Sequence, residues 1–248
     1  MTETEFPDRE IVFSTKQTLQ LRDYPIRDID EDAEFTPIFR AARNFTMTGK
    51  DAMYALYQAV QYVVAAKVPG DFVECGVWRG GSSLVAALSL RALGDQSRIL
   101  HLFDTFEGMA PPTAADVDRS GGRASDYIDR YGDEGKWCYV GEDEVRAVFA
   151  AEGFDEDRVR LYKGDVVDTL PASRLDTISV LRLDTDWYES TRVELEVLYP
   201  KLSPGGVLII DDYGHWRGAR QAVDEYFAKH RPPLLNRVND QVRLAIKV

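Results

Sequence analysis

Four aspartates in two short clusters are the residues of this sequence best placed to do chemistry. Asp184 and Asp186 follow the apolar stretch VLRL, and Asp211 and Asp212 follow the apolar stretch VLII. Both stretches predict buried strands, and ligands of an open α/β sheet bind beyond the carboxyl ends of its strands. Carboxylates gathered there repel one another and are costly to desolvate unless a cation or a proton compensates them. The pattern therefore indicates a divalent-metal site with a candidate general base beside it.

The spacing of the four aspartates agrees with that interpretation. Asp184 and Asp186 are two residues apart, so an extended backbone would point both side chains to the same side. The tips of neighbouring strands lie about 5 Å apart, which brings the second pair close to the first. Three of these groups could hold Mg²⁺, and the fourth could accept a proton from a substrate hydroxyl. The alternative is that these aspartates only cap helices and form turns after the strands.

A glycine-rich turn, ECGVWRGGS at residues 74–82, links a predicted strand to a predicted helix. Glycines permit close backbone approach, and a helix start offers free N–H groups to a carboxylate or a phosphate. The glycines at 76, 80 and 81 do not fit G-x-G-x-x-G, so a small carboxylate is favoured over a pyrophosphate. Asp104 ends the next predicted strand, where an acid commonly holds a ribose hydroxyl. The alternative is a tight turn followed by a capping acid.

Two further residues carry weaker signals. Asp165 follows the third predicted strand and either meets an adenine amino group or is a solvated turn residue. His215 lies three residues after Asp212, where imidazole could serve as a second base or a substrate contact, or be structural. Aromatic residues near the same strand ends predict an apolar floor for a ring-shaped acceptor, although ordinary packing also explains them. These aromatic residues are Trp78, Trp187, Tyr188 and Trp216.

The elements that must position these residues follow a regular order. From residue 49 onward, segments with helical spacing of apolar residues alternate with short continuous apolar runs. This alternation predicts an α/β fold with a doubly wound, mainly parallel sheet covered on both faces. Residues 233–238 and 241–248 predict a C-terminal antiparallel hairpin. Thr191 and Glu194 have the spacing of a capping box, which predicts a helix start near Thr191.

The length of 248 residues suits one α/β domain, which we place at residues 46–248. Residues 1–45 are charged, contain scattered Pro and aromatic residues, and lack a sustained period, which predicts an N-terminal arm or lid with short helical pieces. Residues 107–141 are long and irregular, a pattern typical of a lid or an acceptor-binding loop.

Composition excludes several classes of partner. The net charge of −12, from 30 basic and 42 acidic residues, argues against a nucleic-acid or anionic-membrane partner. The first residues show neither a basic leader nor an apolar segment, and no apolar run approaches the roughly 20 residues that span a bilayer. The two cysteines, Cys75 and Cys138, do not suggest a disulfide framework. We therefore expect a cytoplasmic protein that acts on a small molecule.

Four ordered motifs together resemble the macrocin O-methyltransferase family over about residues 45–230. They are VECGVWRGGSS, HLFDTFEGM, LRLDTDWYEST with the following VELEVLYPKLSPGG, and IIDDYGHW. The resemblance implies a class I methyltransferase (Rossmann-like) fold, with S-adenosylmethionine and Mg²⁺ as cofactors. It also implies methylation of a sugar or phenolic hydroxyl of a bacterial natural product, and a homodimer or higher homo-oligomer.

The resemblance also divides roles among the residues. The implied cofactor-binding residues fall into four groups. Thr48 lies in a stretch that precedes the first strand of the domain and covers the cofactor. The methionine part is bound by Glu74, Gly76, Gly80 and Ser82, the ribose by Asp104, and the adenine by Asp165. The implied Mg²⁺ ligands are Asp184, Asp211 and Asp212. Asp186 is the implied general base, and His215 is a second candidate catalytic residue.

Two other classes of protein remain as alternatives. A nicotinamide-dependent oxidoreductase would use a similar sheet, but the missing G-x-G-x-x-G and the predicted terminal hairpin count against it. A non-catalytic cofactor-binding subunit would not need all four aspartates. Between the two acceptors, a deoxysugar hydroxyl of a glycosylated metabolite is favoured over a phenol.

Overall fold

The computed structural model describes residues 6–248. The N-terminal arm begins with an antiparallel hairpin of β1 (Arg9–Ser14) and β2 (Gln17–Leu21), followed by the helices α1 (Arg27–Asp30) and α2 (Phe35–Ala42). The short helices were predicted and the hairpin was not. Its turn residues, Thr15 and Lys16, lack the Gly and Asn that normally mark a hairpin. Residues 1–5 of the predicted arm lie outside the described residues.

The remainder of the chain alternates helices and strands. In order these are α3 (Lys50–Ala65), β3 (Asp71–Cys75), α4 (Gly81–Ala92), β4 (Leu100–Asp104), α5 (Ala124–Tyr131), α6 (Glu142–Ala151), β5 (Val159–Lys163), α7 (Val166–Ala172), β6 (Ile178–Leu183), α8 (Tyr188–Leu198), β7 (Leu202–Ile210), α9 (Arg217–Lys229), β8 (Asn236–Arg237) and β9 (Arg243–Ile246).

The main sheet has the strand order β5-β4-β3-β6-β7-β9-β8. Strands β3 to β7 pair in parallel, whereas β9 is antiparallel to both β7 and β8. The prediction of a doubly wound, mainly parallel sheet with a C-terminal antiparallel hairpin is confirmed. The chain builds outward from β3 on one side and then returns to add β6 on the other. The crevice of such a switch point lies beyond the tips of β3 and β6.

Each face of the sheet carries its own buried core. One core joins α2, α3 and α4 to the sheet through large apolar side chains such as Phe35, Met53 and Leu84. The other joins α7, α8 and α9 through residues such as Leu170 and Leu195. Strands covered on both faces explain why β3, β4 and β6 are continuous apolar runs rather than alternating ones.

Two local predictions were wrong. The capping box was expected to start a helix near Thr191, but α8 starts at Tyr188 with Trp187 as its N-cap. The turn after Asp184 places the helix start directly behind the aspartates, so Thr191 lies inside the first turns. Helix α5 also lies within the segment expected to be irregular, and the hydrophobic pattern of residues 107–141 did not reveal it.

Two expectations drawn from composition can be compared with the structure. Cys75 and Cys138 are both free thiols. Among residues 6–248, no helix has both the length and the apolar character needed to cross a membrane.

Candidate active site

The candidate active site is a cavity of about 300 Å³ at the switch point, above the tips of β3, β4, β6 and β7. The turn after β3 passes very close to the turn after β6. A Cβ on Gly76, whose φ is +83°, would lie 1.9 Å from the carbonyl oxygen of Asp184. Only glycine permits both this conformation and this approach, so the sequence at 76 brings the two functional turns together.

Most of the predicted cofactor residues lie on this cavity. Its lining includes Thr48, Gly76, Ser82, Asp104 and Asp165. The structure therefore brings together five positions from four separate segments of the sequence.

Two predicted cofactor residues do not line the cavity. Glu74 is 0% exposed and accepts hydrogen bonds from Ser82 Oγ at 2.5 Å and from Ser83 Oγ. Gly80 is the N-cap of α4, with a φ of +84°, and faces Phe149 of α6. Both residues shape the turn from behind, so direct contact with a cofactor would need a change of this arrangement.

Asp104 and Asp165 both have backbone partners. Asp104 Oδ2 accepts from the amides of Val77, at 2.7 Å, and Trp78, at 3.1 Å, and so holds the glycine-rich turn against β4. Asp165 caps α7 by accepting from the amide of Val167 at 3.0 Å. The capping alternative considered for Asp104 therefore describes real contacts, and Asp165, for which a solvated turn residue was the alternative, is a half-buried helix cap; each residue also borders the cavity.

The four aspartates meet at one side of the cavity. Ligand oxygens of Asp184, Asp186 and Asp212 lie within 4.8 Å of one another. Asp211 is adjacent, but its Oδ1 accepts from Arg182 Nη2 at 2.6 Å. The closest trio therefore includes Asp186, whereas the ligand set implied by the resemblance was Asp184, Asp211 and Asp212.

The backbone conformation that brings Asp186 to this cluster differs from the extended conformation that was expected. Strand β6 ends at Leu183, and Asp186 has a left-handed backbone with φ of +69° rather than an extended one. The amide of Trp187 donates to the carbonyl of Thr185 at 2.8 Å, which closes a tight turn. A tight turn, rather than the alternation of side chains along a strand, therefore directs Asp186 toward Asp212. A non-glycine residue in this region of φ/ψ is often found at functional sites.

Crowding and burial change the acidity of the cluster. Burial raises the pKa of Asp186 to about 7, a shift opposed by a hydrogen bond with Asp212 and reinforced by the charge of Asp184. Burial, followed by the charge of Asp186, raises the pKa of Asp212 well above its ordinary value. A proton shared between these two carboxylates relieves the repulsion that a cation would otherwise have to neutralise.

The donor set fits a hard divalent cation. Carboxylate oxygens are the ligands that Mg²⁺ prefers, and several of them converge here. Asp212 Oδ2 is buried and has no hydrogen-bond partner among residues 6–248. A buried carboxylate oxygen without a partner is costly, and a bound cation would remove that cost.

The structure shows one central residue that sequence reasoning missed. Arg182 lies in the middle of β6, is 1% exposed, and contacts Glu74, Asp184 and Asp211. These charges hold its pKa well above the ordinary value, against the effect of burial. The available signal was an arginine inside the otherwise apolar run ISVLRL, because a fully buried charge requires partners.

His215 borders the cavity beside Trp216, with the two rings edge to face and their centroids 4.9 Å apart. Burial lowers the pKa of His215, so the ring is neutral at pH 7. Its Nδ1 is buried without a hydrogen-bond partner in the described part of the chain. Of the alternatives considered, a substrate contact or a second base fits better than a structural role, because a structural histidine would use this nitrogen.

Aromatic rings form a chamber next to Asp186. Trp187 packs edge to face on Trp216 at 4.9 Å and stacks near Trp137 at 6.5 Å, and Tyr127 contacts both Trp137 and Trp216. Of the residues predicted to form an apolar floor, Trp78, Trp187 and Trp216 line the cavity. Tyr188 does not line the cavity, and its hydroxyl instead donates to Glu225 of α9.

The N-terminal hairpin and the 107–141 segment meet over this chamber. Phe13 of β1 lies between Trp78, at 6.0 Å, and Trp137, at 5.8 Å. At the hairpin turn, the Thr15 amide donates to Asp133 Oδ2 at 2.7 Å, and Lys16 Nζ donates to the carbonyl of Gly132 at 2.6 Å. Two segments that sequence analysis treated separately therefore close one side of the cavity together.

Comparison with known proteins agrees with this geometry. The chain resembles the solved structure of the O-methyltransferase NovP with a TM-score of 0.72 and 34% identity, covering 85% of this chain and 87% of that one. It shares its fold with the calicheamicin methyltransferase CalS11, at a TM-score of 0.62 and 20% identity, over 91% and 94% of the two chains. Fold and site together define a class I, S-adenosylmethionine-dependent O-methyltransferase.

The chain belongs to the macrocin O-methyltransferase (TylF) family, whose sequence pattern it matches over residues 5–239. It is 43% identical over 185 residues to the 8-demethyl-8-(2,3-dimethoxy-alpha-L-rhamnosyl)-tetracenomycin-C 4'-O-methyltransferase of Streptomyces olivaceus, covering 75% of this chain and 68% of that protein. It is 39% identical over 188 residues to the demethyldecarbamoylnovobiocin O-methyltransferase of Streptomyces niveus, covering 76% and 70%. The expected family and enzyme class are confirmed, and the two alternative classes of protein are not supported.

Proposed function

We propose that this methyltransferase acts on a sugar hydroxyl of a glycosylated natural product and that it requires Mg²⁺. The observation that carries the proposal is the position of the acid cluster, with Asp186 directly beside the aromatic chamber of Trp187 and Trp216. Aromatic rings bind the apolar faces of sugars, and carboxylates accept hydrogen bonds and protons from sugar hydroxyls. The 43% identical relative is named for methylating a rhamnosyl group.

The proposed cofactor position is the part of the cavity between the glycine-rich turn and Asp165. Free amides at the start of α4 would receive the carboxylate of the methionine part, and Asp104 would hold the ribose. Thr48 and its neighbours would cover the cofactor, and Asp165 would lie at the adenine. Glu74 would act by fixing Ser82 and the turn, because it is fully buried behind them.

The reaction is a transfer of a methyl group from the sulfonium sulfur to the acceptor oxygen. The carbon–sulfur bond breaks as the carbon–oxygen bond forms in line, and the hydroxyl proton goes to a carboxylate of Asp186. The sulfonium is already a good leaving group, so the chain contributes mainly orientation and exclusion of water. A pKa of Asp186 near 7 makes it a better proton acceptor than an ordinary aspartate and leaves it mostly ionised above neutral pH.

We assign the Mg²⁺ ligands to Asp184, Asp211 and Asp212, and the metal would supply Lewis acidity that makes the acceptor hydroxyl more acidic. Asp186 is kept as the base because it contacts Trp216 of the chamber, whereas Asp211 faces Arg182 on the other side. The proximity of Asp186 to Asp184 and Asp212 makes the opposite assignment the direct competitor. Mg²⁺ titration of Asp186→Asn and Asp211→Asn separates them, since loss of a ligand weakens metal binding and loss of the base does not.

The decisive test of the base is turnover of Asp186→Asn. We expect turnover to fall by about 10²–10⁴-fold, the range for loss of a general base, while S-adenosylhomocysteine binds nearly as before. His215→Gln serves as the matched control and should lose less. Normal turnover by Asp186→Asn would make His215 the leading base.

Metal dependence is tested by chelation. EDTA should stop turnover and added Mg²⁺ should restore it, whereas full activity of the chelated enzyme would contradict the metal assignment. The acceptor is tested by comparing a glycosylated phenol with its aglycone. Methylation of the sugar supports the proposal, and methylation of the aglycone supports the phenolic alternative.

The remaining expectations are also proposals. We propose that residues 107–141, with the N-terminal hairpin, bind the acceptor, because both border the chamber. A homodimer or higher homo-oligomer in the cytoplasm is expected, and sedimentation of the purified protein measures the assembly.

A further inference from the structure

The buried guanidinium of Arg182 bonds to side chains on both the cofactor side and the aspartate side of the site. Its Nη1 donates to Glu74 Oε1 at 2.5 Å and to Asp184 Oδ2 at 2.6 Å. Its Nη2 donates to Asp211 Oδ1 at 2.6 Å and to Thr48 Oγ1 at 3.1 Å. One rigid, planar group therefore fixes the separation of four side chains from four different segments.

On one side, these contacts lead to the segments proposed to enclose the cofactor. Glu74 holds the hydroxyls of Ser82 and Ser83 at the start of α4. Thr48 belongs to the stretch before α3 that borders the cavity, and Arg9 of the N-terminal hairpin donates to the carbonyl of Thr46 in the same stretch. A shift of the guanidinium would move both the turn and the covering stretch.

On the other side, the contacts lead to the proposed metal ligands. Asp184 and Asp211 each give one oxygen to Arg182, which leaves each of them the other oxygen for a cation. Any movement of these carboxylates toward a cation must be matched by Arg182, because the guanidinium is 1% exposed and tightly enclosed.

We propose that Arg182 is a positioning residue that couples metal binding to cofactor binding in this enzyme. The proposal rests on the proposed function, in which the acid cluster binds Mg²⁺ and the glycine-rich turn binds S-adenosylmethionine. Asp184 and Asp211 would be held in place by a bound Mg²⁺, and Arg182 would transmit their positions to Thr48 and Glu74 through its hydrogen bonds. Binding of either ligand thereby prepares the site for the other.

Such coupling has a measurable and reciprocal size. If Mg²⁺ tightens cofactor binding by some factor, the cofactor must tighten Mg²⁺ binding by the same factor. Coupling free energies between sites commonly correspond to about 5–150-fold changes in affinity, so we expect at least about fivefold for the wild type. S-adenosylhomocysteine is the appropriate probe, since it lacks the sulfonium charge that Mg²⁺ would repel.

The test is calorimetric titration of S-adenosylhomocysteine with and without Mg²⁺, and of Mg²⁺ with and without S-adenosylhomocysteine. Arg182→Lys keeps the charge, but a single ammonium cannot reach all four partners. We expect each ligand still to bind this variant alone, with the coupling factor reduced to below about twofold. Arg98→Lys is the matched control, because Arg98 is another largely buried arginine with several partners, at the opposite end of the sheet. Its coupling factor should equal that of the wild type.

The outcomes separate this proposal from the proposed function. A wild type that binds both ligands independently, or an Arg182→Lys variant with wild-type coupling, overturns the role of Arg182 and leaves the function intact. A wild type that binds no Mg²⁺ overturns the metal half of the function and this proposal with it. If Arg182→Lys does not fold, Thr48→Val removes one of the links, and unchanged coupling in that variant overturns the proposal.

Discussion

Two groups of buried and half-buried acids meet at the active site, and they are stabilised in different ways. Around Arg182, the carboxylates of Glu74, Asp184 and Asp211 share one internal cation at 2.5–2.6 Å. Next to them, Asp186 and Asp212 face each other, neither has a salt-bridge partner among residues 6–248, and burial raises the pKa of both. The first group is compensated by the protein itself, and the second by protons or by an external cation.

The difference indicates how this fold could hold the proposed metal ligands in place before a metal binds. Arg182 fixes the positions of the acids that border the cofactor side, because an ionised carboxylate would otherwise be expelled from this interior. The acids on the chamber side remain underneutralised and therefore reactive. Asp184 belongs to both groups, since it contacts Arg182 and also lies within the close trio of aspartates.

The sharpest way to break this comparison is to change one residue from each group and measure stability. Arg182→Gln leaves the buried carboxylates of Glu74 and Asp211 and the half-buried carboxylate of Asp184 without their cation, and breaking a buried pair typically costs about 3–5 kcal/mol. Asp186→Asn should instead raise stability at pH 8. The folded pKa of Asp186, about 7, exceeds the ordinary value of 3.8, so its contribution to stability is lost as pH rises through 7.

Urea unfolding in EDTA at pH 8 and at pH 4 measures both variants. Most of the gain of Asp186→Asn should vanish at pH 4, where the carboxyl is protonated in the folded state and about half protonated in the unfolded state. Arg220→Gln is the control, because Arg220 is exposed and its pair with Asp224 contributes little. Equal destabilisation by Arg182→Gln and Asp186→Asn at pH 8 would show that the two groups do not differ.

The parts predictable from sequence were those set by local pattern. Continuous apolar runs between helical segments predicted the doubly wound sheet, and their order predicted that Asp104, Asp184 and Asp212 lie at the carboxyl ends of its strands, the last two on adjacent strands. The reason is that hydrophobic periodicity and strand ends are local properties, whereas the parallel order follows from the βα alternation.

The parts that could not be predicted depend on contacts between distant segments. The pairing of Arg182 with Glu74 spans 108 residues, and the bond of Thr15 to Asp133 spans 118. Neither leaves a periodic signal in the chain. The left-handed turn at Asp186 was also missed, because an extended strand end and a tight turn look alike in the letters LDTDW.

A third uncompensated acid, Glu194 on α8, sharpens the comparison. It is 0% exposed, its Oε1 accepts from Thr185 Oγ1 at 2.8 Å, and its Oε2 has no hydrogen-bond partner within residues 6–248. Burial raises its pKa to about 8. Because the folded pKa exceeds the ordinary value of 4.5, stability present below pH 4.5 is lost as pH rises toward 8.

Glu194→Gln should make the free energy of unfolding less dependent on pH. Each pKa unit corresponds to about 1.4 kcal/mol, so the wild type should lose up to about 4 kcal/mol more than the variant between pH 5 and pH 8. Gln keeps an oxygen for Thr185 and does not titrate. Denaturant unfolding across that range measures the slopes, with Glu196→Gln as the control because Glu196 is exposed and paired with Arg192. Parallel slopes for the wild type and Glu194→Gln would mean that Glu194 does not carry the proton.

The smallest expected effect on stability comes from adding the proposed cation, Mg²⁺. At a free concentration of 100 times its dissociation constant, Mg²⁺ should stabilise the folded protein by about 2.7 kcal/mol. At a fixed Mg²⁺ concentration the gain should be larger at pH 8 than at pH 6, because protons compete with the metal for the ligand Asp212, whose pKa is raised. Thermal unfolding with Mg²⁺ and with EDTA measures it.

Two substitutions show whether that gain arises at the underneutralised group. Asp212→Asn removes the carboxylate whose Oδ2 lacks a partner, so Mg²⁺ should no longer raise its unfolding temperature. Asp224→Asn, on the exposed side of α9, should respond to Mg²⁺ as the wild type does. A Mg²⁺ effect that survives in Asp212→Asn would place the cation elsewhere. The acids around Asp186 would then rely on shared protons alone, and the distinction between the two groups would be one of protonation rather than metal binding.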